Sequence, residues 1–318
     1  MTKNSIAKFC LIAASLLALP AASFAGKELI APKDKVVQEA VKESCITGDI
    51  GINVVSQYIS RGLIFENQGG ILQPYADLYF RVYKGQDTDF LNKVSVNLGI
   101  WNSFHSRHTD AGEAVGHGTG GQDASSTRSW YEFDFTAGLA ITFLKNFTFT
   151  PSYYTFLSPN DGFSTFQGLN LNLAYDDTDL LGAFALHPHA TVLFELENKA
   201  GNGSDEGIYY EVGIAPAIPI GPKDAAYCTI TLPVTAGFGS NDFYAHNAGF
   251  GYVSGGAQVS VPLNFMPKCL GTWAANGGAT YYYLGSSSLR NFNTAPANDI
   301  RDAGNSEWVF SGGLSVAF

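Results

Sequence analysis

From residue 48 onward the chain alternates apolar and polar residues with a period of two. In residues 72 to 82, Leu72, Pro74, Ala76, Leu78, Phe80 and Val82 alternate with Gln73, Tyr75, Asp77, Tyr79 and Arg81. A β-strand sends successive side chains to opposite faces, so this stretch has one apolar and one polar face. The same division recurs at 131–143, where Tyr131, Phe133, Phe135, Leu139, Ile141 and Phe143 oppose Glu132, Asp134, Thr136 and Thr142. It recurs at 184–196, where Phe184, Leu186, Pro188, Val192, Phe194 and Leu196 oppose His187, His189, Thr191 and Glu195. Such runs exceed the roughly 5–6 residues of an ordinary soluble strand and match the roughly 9–11 that cross a bilayer at a tilt.

The pattern predicts strands at 49–60, 71–83, 93–104, 129–143, 147–157, 167–176, 183–197, 207–220, 227–238, 248–263, 270–284 and 306–318, with a slip of phase around Tyr252 to Gly256. Links alternate in length, the longest being 105–128 and 285–305. The expected fold is therefore all-β: a transmembrane antiparallel β-barrel of about twelve strands, closed as an up-and-down meander. Short turns and both termini would face the periplasm and the longer links the outside. A soluble sandwich would use shorter strands. Aromatic residues near strand ends, including Tyr58, Tyr83, Trp130, Phe147 and Tyr209, fit interfacial girdles.

The two ends of the sequence add an export route. Lys3 and Lys8 precede an apolar stretch from Phe9 to Leu19, and Ser23-Phe24-Ala25 has the shape of a cleavage site. Residues 1–25 are expected to be a signal peptide, 26–47 an N-terminal periplasmic extension and 48–318 the barrel. Trp308, Phe310, Leu314, Val316 and Phe318 share one parity of the last strand, and a terminal Phe resembles the signal read by the outer-membrane assembly machinery. That machinery and outer-membrane lipid are the expected partners.

Composition narrows the function. Charged residues make up 14% of the chain, against about 25% in an average soluble domain. The formal net charge of −10 and the absence of Lys/Arg clusters argue against nucleic acid as a partner. Three cysteines, Cys45, Cys228 and Cys269, follow the expected cleavage point, and sequence alone does not pair them.

The opening segment Ser56-Gln57-Tyr58-Ile59-Ser60-Arg61-Gly62, followed by Gln73-Pro74-Tyr75-Ala76-Asp77, resembles the first two strands of the TorF-like porins. That family carries an acidic residue where Gln57 stands. The resemblance implies a porin-like function. Read physically, Arg61-Gly62 ends the first strand and puts Arg61 on the lumen parity, beside Asp77 and Arg81. Glu132, Asp134, Glu195, Glu197, Glu211 and Glu307 fall near strand ends at the expected outer mouth, and a symmetric 198–206 hairpin would set Glu195 opposite Glu211. These carboxylates are expected to be solvated or Arg-paired mouth residues, with a cation-favouring constriction as the alternative, since rings of acidic side chains favour cations.

Three chemistries compete with simple diffusion. His187-Pro188-His189 puts two imidazoles on one face about 6.6 Å apart, but Glu195 lies about 20 Å further along the chain and cannot complete a metal site. His105, His108 and His117 sit in or beside a Gly-rich link without a ligand-spacing motif. No Ser, Ser152 and Ser311 included, is tied by sequence to a His, as a hydrolase requires. The 116–121 stretch lacks the Lys-Ser/Thr of a phosphate loop. The expected function is passive diffusion of small hydrophilic solutes through a porin-like channel with a mild preference for cationic or neutral species, with no cofactor, metal or catalysis. An outer-membrane hydrolase and a structural or adhesion barrel are the alternatives.

Overall fold

The computed structural model describes residues 44–106, 129–222, 226–245, 249–285, 287–293 and 304–318. The expected signal peptide, most of the N-terminal extension, His108 and His117 lie outside them.

The first strand, β1 (Ile46–Val55), is followed by a small separate hairpin, β2 (Tyr58–Ser60) and β3 (Leu63–Glu66). The main sheet continues through β4 (Ile71–Lys84), β5 (Leu91–His105), β6 (Trp130–Phe143), β7 (Phe147–Leu157), β8 (Phe166–Tyr175) and β9 (His189–Glu197). Then come β10 (Ile208–Ile214), β11 (Ala217–Ile220), β12 (Cys228–Thr231), β13 (Val234–Gly239), β14 (Gly249–Pro262), β15 (Thr272–Leu284) and β16 (Ser306–Ala317). Neighbours pair antiparallel, and β1 pairs with β16 from Asp49↔Ala317 to Val55↔Ser311, which closes the sheet on itself. Two further bonds fasten the seam: the Gly48 N–H donates to the Phe318 carbonyl at 2.9 Å and the Phe318 N–H to the Gly48 carbonyl at 3.0 Å.

The closed barrel has twelve staves, because β10 with β11 and β12 with β13 each form one interrupted stave. Prolines cause both interruptions. Pro216 and Pro233 have no N–H for the ladder, so pairing stops around them and resumes beyond. The predicted strands 207–220 and 227–238 are thus correct in place but broken in the middle.

Faces follow the alternation in the sequence. Along β1, Ile50, Ile52 and Val54 are exposed on the outside while Gly51 and Val55 are buried inside. Leu72, Leu78, Leu98, Ile100, Phe135, Leu139, Leu173, Val212, Phe310 and Leu314 continue an exposed apolar exterior around the barrel. The inner wall is polar, with Gln73, Asp77, Ser95, Asn97, Thr150, Ser152, Asn170, Asn172 and Thr191 all buried. The phase slip falls just before the expected stretch: Tyr252 pairs with Gly237 and Phe250 with Phe238, leaving Gly251 as the extra residue of a bulge.

Two of the expected strands fall short. The predicted strand 183–197 begins only at His189, because Thr178–Leu181 is a helical turn, Gly182–Phe184 a 3-10 turn, and His187 has a φ of 49°. The Asp177 carboxylate holds this segment by accepting the Leu186 N–H at 2.9 Å and the His187 N–H at 2.9 Å. Phe184, read as one member of a strand face, is 83% exposed. The predicted strand 49–60 also stops early, at Val55. Residues beyond it turn into the barrel instead of extending its wall.

Candidate functional site

The β2–β3 hairpin occupies the end of the barrel opposite the one where Gly48 meets Phe318. Its turn is Arg61-Gly62, with φ values of 50° and 83°, and Ser60 pairs with Leu63 across it. Two successive left-handed residues make a type I′ turn, the two-residue connection that matches strand twist. Glycine is required at the second position for its φ and for space, since a Cβ on Gly62 would lie 2.8 Å from Leu289 Cδ1.

Apolar packing holds the hairpin from all sides. Ile59, Leu63 and Ile64 are enclosed by Tyr154, Phe156, Phe166, Leu193, Tyr209, Tyr252, Tyr282 and Val309 of the wall, and by Leu289 and Phe292 of the helix Ser287–Asn293. Tyr58 packs with Val55, Ile71, Trp101 and Tyr131. The β12–β13 stave gives room instead of bulk: the Tyr252 ring lies where a Cβ on Gly237 would stand. At this level the bore is filled by a hydrophobic core.

Directed polar contacts fix the register of this plug. Asn293 accepts the Ile64 N–H at 3.0 Å and donates to the Gly62 carbonyl at 3.1 Å. Tyr244 donates its hydroxyl to the Arg61 carbonyl at 2.7 Å. Tyr58 donates to Glu132 Oε2 at 2.7 Å. Burial, and for Tyr58 next the Glu132 charge, push both phenols well above their ordinary pKa, so both remain donors across the physiological range.

Arg61 projects from the tip of the plug into an acidic and aromatic surround. Its guanidinium carbon lies 5.8 Å from the centroid of Phe156 and 5.7 Å from that of Tyr209, within cation–π range. It also donates to Ser60 Oγ at 3.2 Å. Its charge acts on Glu132, Asp134 and Glu195. Glu132 and Asp134 are two residues apart on the inner face of β6, their side chains in hydrogen-bonding contact and both buried. Asp134 Oδ1 has no hydrogen-bond partner among the described residues. Glu211 accepts the hydroxyls of Tyr209 and Tyr252.

The expected acidic mouth is therefore divided. Glu132 and Asp134 face Arg61, and Glu195 is within reach of its field, but Glu195 is also a structural acceptor. Its carboxylate takes the N–H groups of Ala200 at 2.6 Å, Gly201 at 2.8 Å and Gly207 at 2.6 Å, and so folds the 198–207 link. That capture shifts the hairpin register: Glu211 pairs with Thr191, four residues from the expected partner Glu195. Glu307 sits at the rim, accepting from Gln57 Nε2 at 3.1 Å and from the Gly304 N–H at 2.9 Å.

Other predicted residues are dispersed. Asp77 is buried on the inner wall opposite Asp49 and Gly99. Arg81 lies at the terminal end, its N–H donating to the Cys45 carbonyl at 2.8 Å, so it cannot offset the acidic groups at the far end. His189 faces inward against Gly213, whereas His187 lies in the 176–188 link, so the two imidazoles do not share a strand face. Phe318 is exposed on the outside, and its backbone closes the seam.

The plug also creates a contact that sequence spacing does not show. Ser103 Oγ lies 2.8 Å from His105 Nε2, and His105 Nδ1 lies 3.9 Å from Glu66 Oε2 of β3. The order Ser, His, carboxylate is that of a hydrolase. However, Ser103 and Glu66 are completely buried, and Tyr131 stacks on the imidazole at 4.5 Å, so no surface is left for a substrate. The trio fastens the plug to β5.

No family model matches the chain, and no curated protein does. Solved structures give distant likenesses. The NanC porin aligns at a TM-score of 0.43 and 11% identity, over 84% of this chain and 98% of that one. An outer membrane channel from Pseudomonas putida F1 aligns at 0.48 and 11%, over 91% and 100%. The transport unit of the autotransporter AIDA-I from Escherichia coli aligns at 0.40 and 12%, over 98% and 97%. At this level of overlap the likenesses carry no argument about function.

Proposed function

We propose that the protein is an outer-membrane, porin-like channel for small hydrophilic solutes, closed in this conformation, with the plugged end facing outside and the termini facing the periplasm. One observation carries the reading: a closed sheet with an apolar exterior surrounds a polar inner wall on which Gln73 Nε2, Ser95 Oγ, Asn97 Oδ1 and Ser152 Oγ have no hydrogen-bond partner among the described residues. A buried polar group left unpaired costs about 1–3 kcal/mol. A wall with several such groups is better suited to hydrated solutes than to a dry core. An apolar exterior of this kind belongs in lipid, where only a closed sheet satisfies its own backbone.

The plug makes this a gated channel, since the first link must leave the bore before solute passes. The acidic pair Glu132 and Asp134 beside the bore supports a mild preference for cationic or neutral solutes. Single-channel recording on purified protein in a planar bilayer tests the reading. Long closures broken by cation-preferring openings are expected. A barrel that stays silent both as the wild type and after its plug contacts are cut would overturn it.

A further inference from the structure

We propose that Glu132, Asp134 and the faces of Phe156 and Tyr209 form a binding site for organic cations with a planar guanidinium or comparable head group, and that Arg61 is its tethered occupant. The inference deepens the channel reading and rests on it for the route by which a free cation arrives.

Three features of the site point to a cation rather than to general polarity. First, a guanidinium already lies over two aromatic rings, at 5.8 Å and 5.7 Å from their centroids, and quadrupole attraction selects positive charge over neutral solutes of the same shape. Second, the two carboxyl side chains on β6 are buried together in hydrogen-bonding contact, so they share a proton and carry a single negative charge, in a site dry enough for that charge to act strongly. Third, Asp134 Oδ1 is buried with no hydrogen-bond partner among the described residues, so an acceptor remains for a donor-bearing head group. A guanidinium has five N–H donors in a flat fork, enough to serve a carboxylate and still lie against a ring.

The occupant is held by its backbone, which makes it displaceable. Tyr244 binds the Arg61 carbonyl and Asn293 the Gly62 carbonyl, so the turn is anchored through its backbone, while contacts to the side chain include the two rings, the acidic field and the bond to Ser60 Oγ. A tethered group acts at an effective concentration of the order of millimolar or more. A solute at lower concentration therefore competes only if it binds more tightly than Arg61 or if the plug has loosened. This links solute identity to opening: a cation that takes the site from Arg61 removes one of the contacts that keep the hairpin seated.

The test fills the site with the fragment that Arg61→Ala removes. Ethylguanidinium and its neutral isostere ethylurea would be titrated by calorimetry, at low salt, into wild-type protein and into Arg61→Ala, each shown to be folded by heat-modifiable migration. Arg61→Asn is the second variant, because Asn tolerates the left-handed φ of this position. Either variant should bind ethylguanidinium at least tenfold more tightly than the wild type, ethylurea should not bind, and adding Asp134→Asn should remove most of the gain. No saturable ethylguanidinium binding to a folded variant, or equal binding to the wild type, would overturn the site. Paired bilayer recordings separate the two readings. Binding without any conductance sustains the site and removes the channel, whereas conductance without binding removes the site alone.

Discussion

Asn293 holds the backbone on both sides of Leu63, accepting the Ile64 N–H at 3.0 Å and donating to the Gly62 carbonyl at 3.1 Å. A residue of the last link thus clamps the first. Replacing Asn293 by Ala leaves a buried donor and a buried acceptor unpaired, at about 1–3 kcal/mol for such a loss. The closed state should weaken by roughly tenfold or more, seen as a higher open probability in bilayers with the heat-modifiable fold intact. Unchanged gating would show that the clamp does not hold the plug.

Glu195 is expected to matter for order, not for ion selection. Charge-assisted bonds to backbone N–H groups are about twice as strong as neutral ones, and Glu195 makes three of them with Ala200, Gly201 and Gly207. Glu195→Ala should make the 198–207 link sensitive to protease. It should alter ion preference less than the pair Glu132→Gln with Asp134→Asn, measured by reversal potentials across a salt gradient. The opposite ranking would return Glu195 to the role of a charge at the mouth.

Phe318 offers a separation of backbone from side chain. Deleting it removes both hydrogen bonds with Gly48, while Phe318→Ala keeps them and loses only the ring that lies over Gly48. Deletion should slow insertion and lower the unfolding temperature more than the substitution does. Equal effects would place the whole contribution in the ring.

The 176–188 link carries a pH dependence. Desolvation opposes the charge on Asp177, but the N–H groups of Leu186 and His187 outweigh it and hold the carboxyl below its ordinary value. A carboxyl with a depressed folded pKa stabilises above its unfolded value, about 3.9, and loses that contribution as pH falls through the folded value. Protection of the Leu186 and His187 amides, taken relative to the intrinsic exchange rate at each pH, should therefore fall at acid pH, and Asp177→Asn should show low protection at every pH.

Most of the wall was legible because burial on one face writes a period of two into each strand, as at 72–82 and 131–143. The exceptions have local causes. Phe184, Leu186 and Pro188 alternate like a strand, yet the Asp177 carboxylate competes for the backbone and wins. At 56–66 the alternation continues through Arg61-Gly62, and a run of apolar residues on both sides of a two-residue turn reads equally as a strand end or as a hairpin folded inward. The turn signal was present, but nothing nearby says that Leu63 and Ile64 face Leu289 and Val309, more than two hundred residues away. Glu132 and Asp134 could be placed on the inner face from parity alone. The capture of N–H groups by Glu195, and with it the shift at Glu211, depends on how the 198–207 link folds back, which no local pattern encodes.

The plug also sets an order of events. Its receptor includes Tyr282 and Leu284 of β15, Leu289 and Phe292 of the last helix and Val309 of β16, while the hairpin is made within the first tenth or so of the barrel. Contacts of such long sequence separation form late. A partly inserted chain would carry a finished stopper with no bottleneck to receive it, and the membrane would stay leaky until the last strand meets the first. Sealing then reports completion: a population of barrels that no longer leaks is one in which the terminal strand has already docked.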